Sequence, residues 1–485
     1  MEVNNRGQIP LKRPFTHDNG HCWAANLTGI QTASDDLGYP TRSNVVLFEN
    51  DHKYGIPHAL HDNIRRLGRG YYSHWNGMLL FSTSDNSDPN SNGRSYTIQI
   101  IDHQDPWACD NAWNSISVSL EGKVSICCNN HAIIGDLTKT RIDDIWHQNA
   151  VLSKIRGFFA QGTYRNAGCE LSCPRLVMRY SDMHPYIKVP SHLNYSFESP
   201  PIGTDDDAGN LYTAPTSYDD NIYINDLEYH GRNCNTASFP FQAMVIINDK
   251  CNLRCPMCPQ RMTSGILACD GDLSVAAMNN FIPAYRYLRL LNIVGGGEIF
   301  IDPPDKSLLS RILTDVNEYA NLDHLRLVLY SNGILMSNAW ADHIFASNVV
   351  TTIAISIDSV DPEIYQKLRT GASLDQLRRR LDNFMEVRAR RNLKRPKLRF
   401  STVLSDFTYK GLLELQEFIT KYDPEGLDLQ LYKAAGYQWF TDEHNIFCRE
   451  RAEDLVQLRK VLGYINVPSS KDQIIAVIDM ILSGI

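Results

Sequence analysis

The 485-residue chain has no apolar run near the roughly 20 residues that a membrane-spanning helix requires. Its opening residues, MEVNNRGQIPLKRPF, lack the apolar segment of a secretory signal. There is no excess of positive charge: 47 Lys and Arg against 55 Asp and Glu leave a net charge of −8. That balance argues against a general nucleic-acid or membrane-surface binder. No internal repeat is visible beyond a strand–helix alternation in the second half. A cytoplasmic location is the expectation from these absences, and it decides how the 12 cysteines are read. In a reducing compartment, clustered cysteines are metal ligands rather than disulfides.

What is present is ordinary for a soluble globular chain, 43% hydrophobic and 21% charged. The length implies about three domains. One stretch is locally basic, with Arg378, Arg379, Arg380, Arg388, Arg390, Arg391, Lys394 and Arg395. Its apolar residues Leu374, Leu377, Leu381, Phe384 and Val387 recur at helical spacing, so the charges form the wet face of one helix.

Residues 1–100 carry short apolar runs, Asn44–Glu49 and Met78–Ser82 among them, separated by turn-forming residues, which predicts a β-rich module. Residues 101–185 hold the first cysteine set. Residues 186–240 are turn-rich and acidic, show no helical period, and read as a connector. From 241 to 440 strands are predicted at Ala243–Asn248, Leu288–Val294, Leu325–Tyr330, Thr351–Ile357, Leu398–Val403 and Leu427–Tyr432. Helices fall between them, for example at Pro304–Ala320 and Lys410–Tyr422. Six such units in about 200 residues predict an α/β fold, a partial (β/α)6 TIM-like barrel. Residues 441–485 read as closing helices.

Directly after the first of these strands comes Cys251-Asn-Leu-Arg-Cys255-Pro-Met-Cys258. In a barrel this loop lies at the C-terminal face, where active sites form. Three thiolates at this spacing can hold three irons of a 4Fe–4S cluster and leave the fourth open to a ligand. The competing reading is a zinc knuckle completed by Cys269. The rest of the barrel resembles the radical S-adenosylmethionine (radical SAM) superfamily over about 200 residues. Gly296-Gly297-Glu298 follows the second strand and is similar to the element that holds the methionyl amino group. Tyr330-Ser331-Asn332-Gly333 resembles the family's TNG turn, with serine for threonine. The stretch Ser356–Gly371 resembles the segment that holds ribose and methionyl carboxylate, and it carries over Ser356, Asp358 and Arg369. Met257 stands where the family has an aromatic residue against adenine. The resemblance implies reductive cleavage of S-adenosylmethionine to a 5′-deoxyadenosyl radical that abstracts a substrate hydrogen. It also implies a flavodoxin- or ferredoxin-type reductant as partner.

The other cysteine set is Cys109, Cys127, Cys169 and Cys173, with Gly122 five residues before Cys127. With Trp107, Trp113, Gly135-Asp136 and Trp146 around it, this segment resembles the SPASM/Twitch family of auxiliary-cluster domains, closest to its four-cysteine form. It departs in ending CxxxC rather than CxxC and in preceding the barrel. The resemblance implies a second 4Fe–4S cluster, with Cys128 as a packing thiol that could replace Cys127; a four-cysteine zinc site is the other reading. Cys22, Cys234 and Cys448 stand alone and read as structural thiols.

Residues Gly68–Trp75 and Phe81–Arg94 resemble segments fused to enzymes of bacterial surface-glycan assembly, and their Tyr, His, Trp, Asn and Asp suit sugar hydroxyls and faces. A turn-rich structural module explains the same composition. Three function classes follow. The first is oxidation or rearrangement of a carbohydrate or surface-glycan intermediate. The second is maturation of a ribosomally made peptide, and the third is a non-catalytic iron–sulfur scaffold. The substrate is thus sugar-like or a peptide, with neither membrane nor nucleic acid expected as partner.

Overall fold

The computed structural model describes residues 7–30, 32, 34–35, 43–50, 52–100, 109–130, 132–147, 149–160, 166–169, 214–231, 233–258, 271–431 and 442–483. The chain divides into two compact units, one of residues 1–106 with 214–233 and one of 107–213 with 234–485. Among the described residues no helix is long and apolar enough to cross a membrane.

The second unit is built on one nine-stranded sheet. Three strands, β1 (Ser115–Val118), β2 (Lys123–Ser125) and β3 (Gly135–Asp136), precede six more: β4 (Gln242–Ile246), β5 (Leu290–Val294), β6 (Arg326–Ser331), β7 (Thr352–Ser356), β8 (Lys397–Val403) and β9 (Gly426–Gln430). Strands β4 to β9 pair in sequence order and all in parallel, as a partial barrel requires. Each strand prediction overlaps its strand to within two residues at either end.

The intervening helices are α1 (Val275–Tyr285), α2 (Leu308–Tyr319), α3 (Asn338–Ser347), α4 (Pro362–Leu368), α5 (Leu374–Arg390) and α6 (Leu412–Thr420). The first five open on a side chain that accepts a backbone N–H: Ser274, Ser307, Ser337, Asp361 and Ser373. Helix α2 therefore starts at Leu308, after Ser307, and not at Pro304 as the sequence predicts. Helix α5 is the basic amphipathic helix, with Leu374, Leu377, Leu381, Phe384 and Val387 all buried. Arg388 departs from that pattern: it is buried too, and its guanidinium donates to the Pro396 carbonyl at 3.4 Å. Helices α7 (Ala452–Leu462) and α8 (Lys471–Ser483) close the unit.

Strands β1 to β3 form an antiparallel meander, and β1 lies parallel to β4, Ser115 opposite Gln242 and Val118 opposite Val245. The segment bearing the first cysteine set thus extends the barrel sheet beyond its first strand.

The first unit holds two four-stranded antiparallel sheets around Phe15, Leu47, Tyr72, Leu79, Phe81, Tyr96 and Ile98. Phe15 meets the rings of Phe81 and Tyr96 edge-on, at 5.2 and 5.7 Å between centroids. A helix at Tyr218–Gly231 belongs to this unit, although it lies inside the stretch read as connector. Its inward face carries Asn221, Asn225 and Glu228, each at most 2% exposed, beside Tyr218 and Ile222. A helix that buries polar side chains leaves no apolar period to read.

Candidate active site

The loop after β4 runs under the end of β5, where Ile247 N–H donates to the Val294 carbonyl at 3.1 Å. Cys251, Cys255 and Cys258 stand on this loop, Cys255 buried and the other two partly so. Burial pushes the Cys251 thiol up to about 11, with Glu298 and the other two thiols adding to the effect. Burial also raises Cys255, against the pull of the Arg369 guanidinium, whose Nη1 lies 4.0 Å from its sulfur. Thiols bind a metal centre as thiolates, so loading a centre here must displace these protons. No three His, Cys, Asp or Glu side chains among the described residues gather around a single ion. A four-iron cluster instead takes each thiolate on a separate iron. The residues present fit such a group, with the buried carboxyl of Glu298 and the partly buried guanidinium of Arg369 beside it.

The Gly296-Gly297-Glu298 turn after β5 is stitched to the cysteine loop through the backbone. Gly297 N–H donates to the Asn248 carbonyl at 3.0 Å, and Glu298 N–H to that of Lys250 at 2.6 Å. A Cβ on residue 297 would lie 1.8 Å from the Lys250 carbonyl oxygen, so only glycine allows this approach. The Lys250 ammonium is itself held by Asp272 at 2.8 Å and Asp302 at 2.9 Å, which fixes the backbone next to Cys251.

Glu298 is 1% exposed, and burial raises its carboxyl. Its carboxylate accepts from Ser331 Oγ at 2.6 Å and from Asn332 N–H at 2.7 Å. Serine therefore supplies the hydroxyl that the threonine of the TNG pattern would. Asn332 also donates to Asn252 Oδ1 at 2.9 Å, tying the same turn to the cysteine loop.

Ser356 closes β7. Asp358 is 1% exposed and both its oxygens are engaged, Oδ2 by Arg369 Nε at 2.6 Å and Oδ1 by Val403 N–H at 3.0 Å. The structure thus places Asp358 as the residue that orients Arg369. Met257 packs with Ile364, Val403, Phe407 and Phe447 against Leu368. Phe407 and Phe447 were not anticipated; they lie outside helices and strands far along the chain, and no local pattern sets them beside the cysteine loop.

Below this face the barrel bore carries polar side chains on β6, β8 and β9. On β8, Leu398, Phe400 and Thr402 are at most 1% exposed on the helix side, which leaves Arg399 and Ser401 on the inner side. The Arg399 guanidinium grips the Asp428 carboxylate of β9 with two hydrogen bonds, one of 2.7 Å. The Tyr330 phenol of β6 is raised by burial and then by Asp428, and it also senses Arg399, Arg326 and Glu425. Lower down, Arg326 pairs with Glu425 at 2.7 Å, and Thr352 donates to the same carboxylate at 2.8 Å.

The first cysteine set lies at the other end of the sheet. Because β1 runs parallel to β4, its start faces the start of β4, and Cys109 precedes β1 by one short helix. Strand β2 runs back from the turn, Val124 opposite Val118 and Ser125 opposite Ser117, so Cys127 returns to that same end. Burial pushes the Cys127 thiol up to about 11, with smaller effects from Cys128 and Cys169. Cys169 bridges to Asn130, whose amide donates to its sulfur at 3.3 Å. Cys128 is exposed, while Cys109, Cys127 and Cys169 are partly buried. Cys173 and Cys269 lie outside the described residues.

Two family models match segments of the chain. The radical SAM superfamily model matches residues 245–419, and the SPASM iron–sulfur cluster-binding domain model matches residues 109–174. The GTP 3′,8-cyclase of Haemophilus influenzae is 26% identical over 157 residues, covering 30% of this chain and 43% of that protein. The chain thus spans less than half the length of this curated relative. Among solved structures, Streptococcus suis SuiB bound to S-adenosylmethionine is 18% identical, with a TM-score of 0.34 and coverage of 48% of this chain and 50% of that one. The native anSMEcpe with bound AdoMet is 14% identical, with a TM-score of 0.36 and coverage of 48% and 64%. Residues 245–419 thus match the radical SAM superfamily, and residues 109–174, ahead of the barrel, match the SPASM iron–sulfur cluster-binding domain.

Proposed function

We propose that the enzyme abstracts a hydrogen from a polyhydroxylated, carbohydrate-type substrate and carries out its oxidation or rearrangement. The observation that supports this substrate class is the bore: beneath the cofactor face it presents Ser401, Tyr330, Arg399 and Asp428, where a closed barrel would pack branched apolar side chains. Such groups match sugar hydroxyls, which both donate and accept.

In this reading Cys251, Cys255 and Cys258 hold the catalytic 4Fe–4S cluster, and Cys109, Cys127, Cys169 and Cys173 hold an auxiliary one. Cys127 is preferred to Cys128 because it is the inward thiol and feels Cys169. S-adenosylmethionine, when bound with the reduced cluster, supplies the 5′-deoxyadenosyl radical. Glu298, oriented by Ser331 and Asn332, receives the methionyl ammonium. Arg369, oriented by Asp358, receives the carboxylate, Ser356 meets the ribose, and Met257 with its apolar neighbours excludes water around adenine. An electron carrier of flavodoxin or ferredoxin type is the expected reductant.

Glu298→Ala and Arg369→Ala should each weaken S-adenosylmethionine binding by roughly 1–3 kcal/mol, since each removes one charge partner from a zwitterion in a largely dry site. Equilibrium dialysis measures this; unchanged affinity in either variant removes that residue from the binding set. The substrate class is tested by product analysis of S-adenosylmethionine cleavage against panels of sugars, sugar nucleotides and peptides. Coupled turnover of a peptide, with none of any sugar, would overturn it.

A further inference from the structure

We propose that Arg399 and Asp428, with Tyr330 opposite, form the floor of the substrate pocket and read adjacent hydroxyls of the substrate. This rests on the carbohydrate reading above and goes beyond it by naming the site.

Stability does not account for the pair. Its side chains remain 28% and 24% exposed, so it is not sealed into a core. An ion pair of that exposure contributes about 0–1 kcal/mol, and apolar side chains would fill a barrel interior at least as well. Charge has nonetheless been placed on the inner faces of two adjacent strands. Arg399 stands one inward position below Ser401, and Ser401 is level by register with Ser356 on β7 and with Asp428 on β9. The serines thus lie between Arg399 and the face where Glu298 and Arg369 stand, with Asp428 at their own level. A substrate resting on the pair would therefore present its upper carbons to the cofactor.

The chemistry of the three groups is complementary to a diol. A guanidinium has five N–H donors, and the bidentate contact to Asp428 uses two of them. A carboxylate has about four acceptor sites. A hydroxyl can accept from Arg399 while donating to Asp428, and Tyr330 can serve its neighbour in either sense. An apolar side chain of a peptide would strip water from all three without replacing those bonds, which is costly. The site therefore selects for hydroxyl groups and against apolar ones.

The test is isothermal titration of the anaerobically reconstituted, S-adenosylmethionine-loaded enzyme with glucose and with UDP-glucose. Wild type should bind at least one of them. Asp428→Asn and Arg399→Gln should weaken that binding by at least tenfold, and Tyr330→Phe by a smaller factor. Circular dichroism checks the folding of each variant; if the charge variants do not fold, Tyr330→Phe and Ser401→Ala carry the test and should still weaken binding. Hexose binding that is unchanged in the folded variants would overturn the assignment of this site while leaving the carbohydrate reading in place. If neither hexose probe binds wild type, the carbohydrate reading fails, and this site fails with it.

Discussion

Replacing Cys251, Cys255 and Cys258 together by alanine should lower the iron of the reconstituted protein from about eight to about four atoms per chain and abolish S-adenosylmethionine cleavage. The two outcomes are linked by ligand count. Three thiolates leave one iron of a four-iron cluster open, and an open iron is what allows S-adenosylmethionine to be chelated. A site with four thiolates has none to offer. The variant should keep its fold, because the loop is held mainly by other bonds: Glu298 N–H to the Lys250 carbonyl, and Lys250 to Asp272 and Asp302. Circular dichroism and metal analysis on the same preparation separate loss of cluster from loss of structure. Iron that stays near eight would show that these three cysteines are not the ligands. Zinc at Cys109, Cys127, Cys169 and Cys173 in wild type grown with ample iron would refute the auxiliary-cluster assignment.

The barrel was legible because its strands alternate with helices that announce their own starts, and because the cysteine loop follows a strand directly. The glycine at 297 was legible as a motif, but its cause was not. That cause is the approach of the Lys250 carbonyl, a contact across 47 positions of sequence. The pairing of β1 with β4 was not legible, since it joins Ser115 to Gln242 across more than 120 residues and neither strand encodes its partner. Helix Tyr218–Gly231 was hidden by its buried asparagines and glutamate. The ion pair in the bore was invisible for a related reason. Arg399 and Asp428 look like the outward residues of two alternating strands, and only the curling of the sheet into a partial barrel turns that face inward.

A folded Cys169→Ala, Cys173→Ala double variant should still cleave S-adenosylmethionine to 5′-deoxyadenosine without coupling under strong chemical reduction, yet yield no oxidised product. The expectation follows from position as well as ligand count. The set containing Cys109, Cys127 and Cys169 lies at the starts of β1 and β4, whereas the Cys251 loop leaves from the end of β4. The two are thus at least a strand length apart, roughly 15 Å. A centre that far from the Glu298 and Arg369 face does not touch substrate, and with all its irons ligated it is suited to electron transfer alone. Net oxidation needs such a centre, because a substrate radical must lose one further electron and a proton after hydrogen abstraction. Structure is the main confounder. Losing a metal centre can unfold a small domain, and here β1 is hydrogen-bonded to the strand that carries the catalytic loop. The iron retained by the barrel cluster, read alongside circular dichroism, controls for that. If the folded variant has lost the auxiliary iron and still makes product at the wild-type yield, the auxiliary centre takes no electron from substrate. The reaction would then either be a redox-neutral rearrangement or pass its electron back to the barrel cluster, and the oxidation state of the product tells these apart.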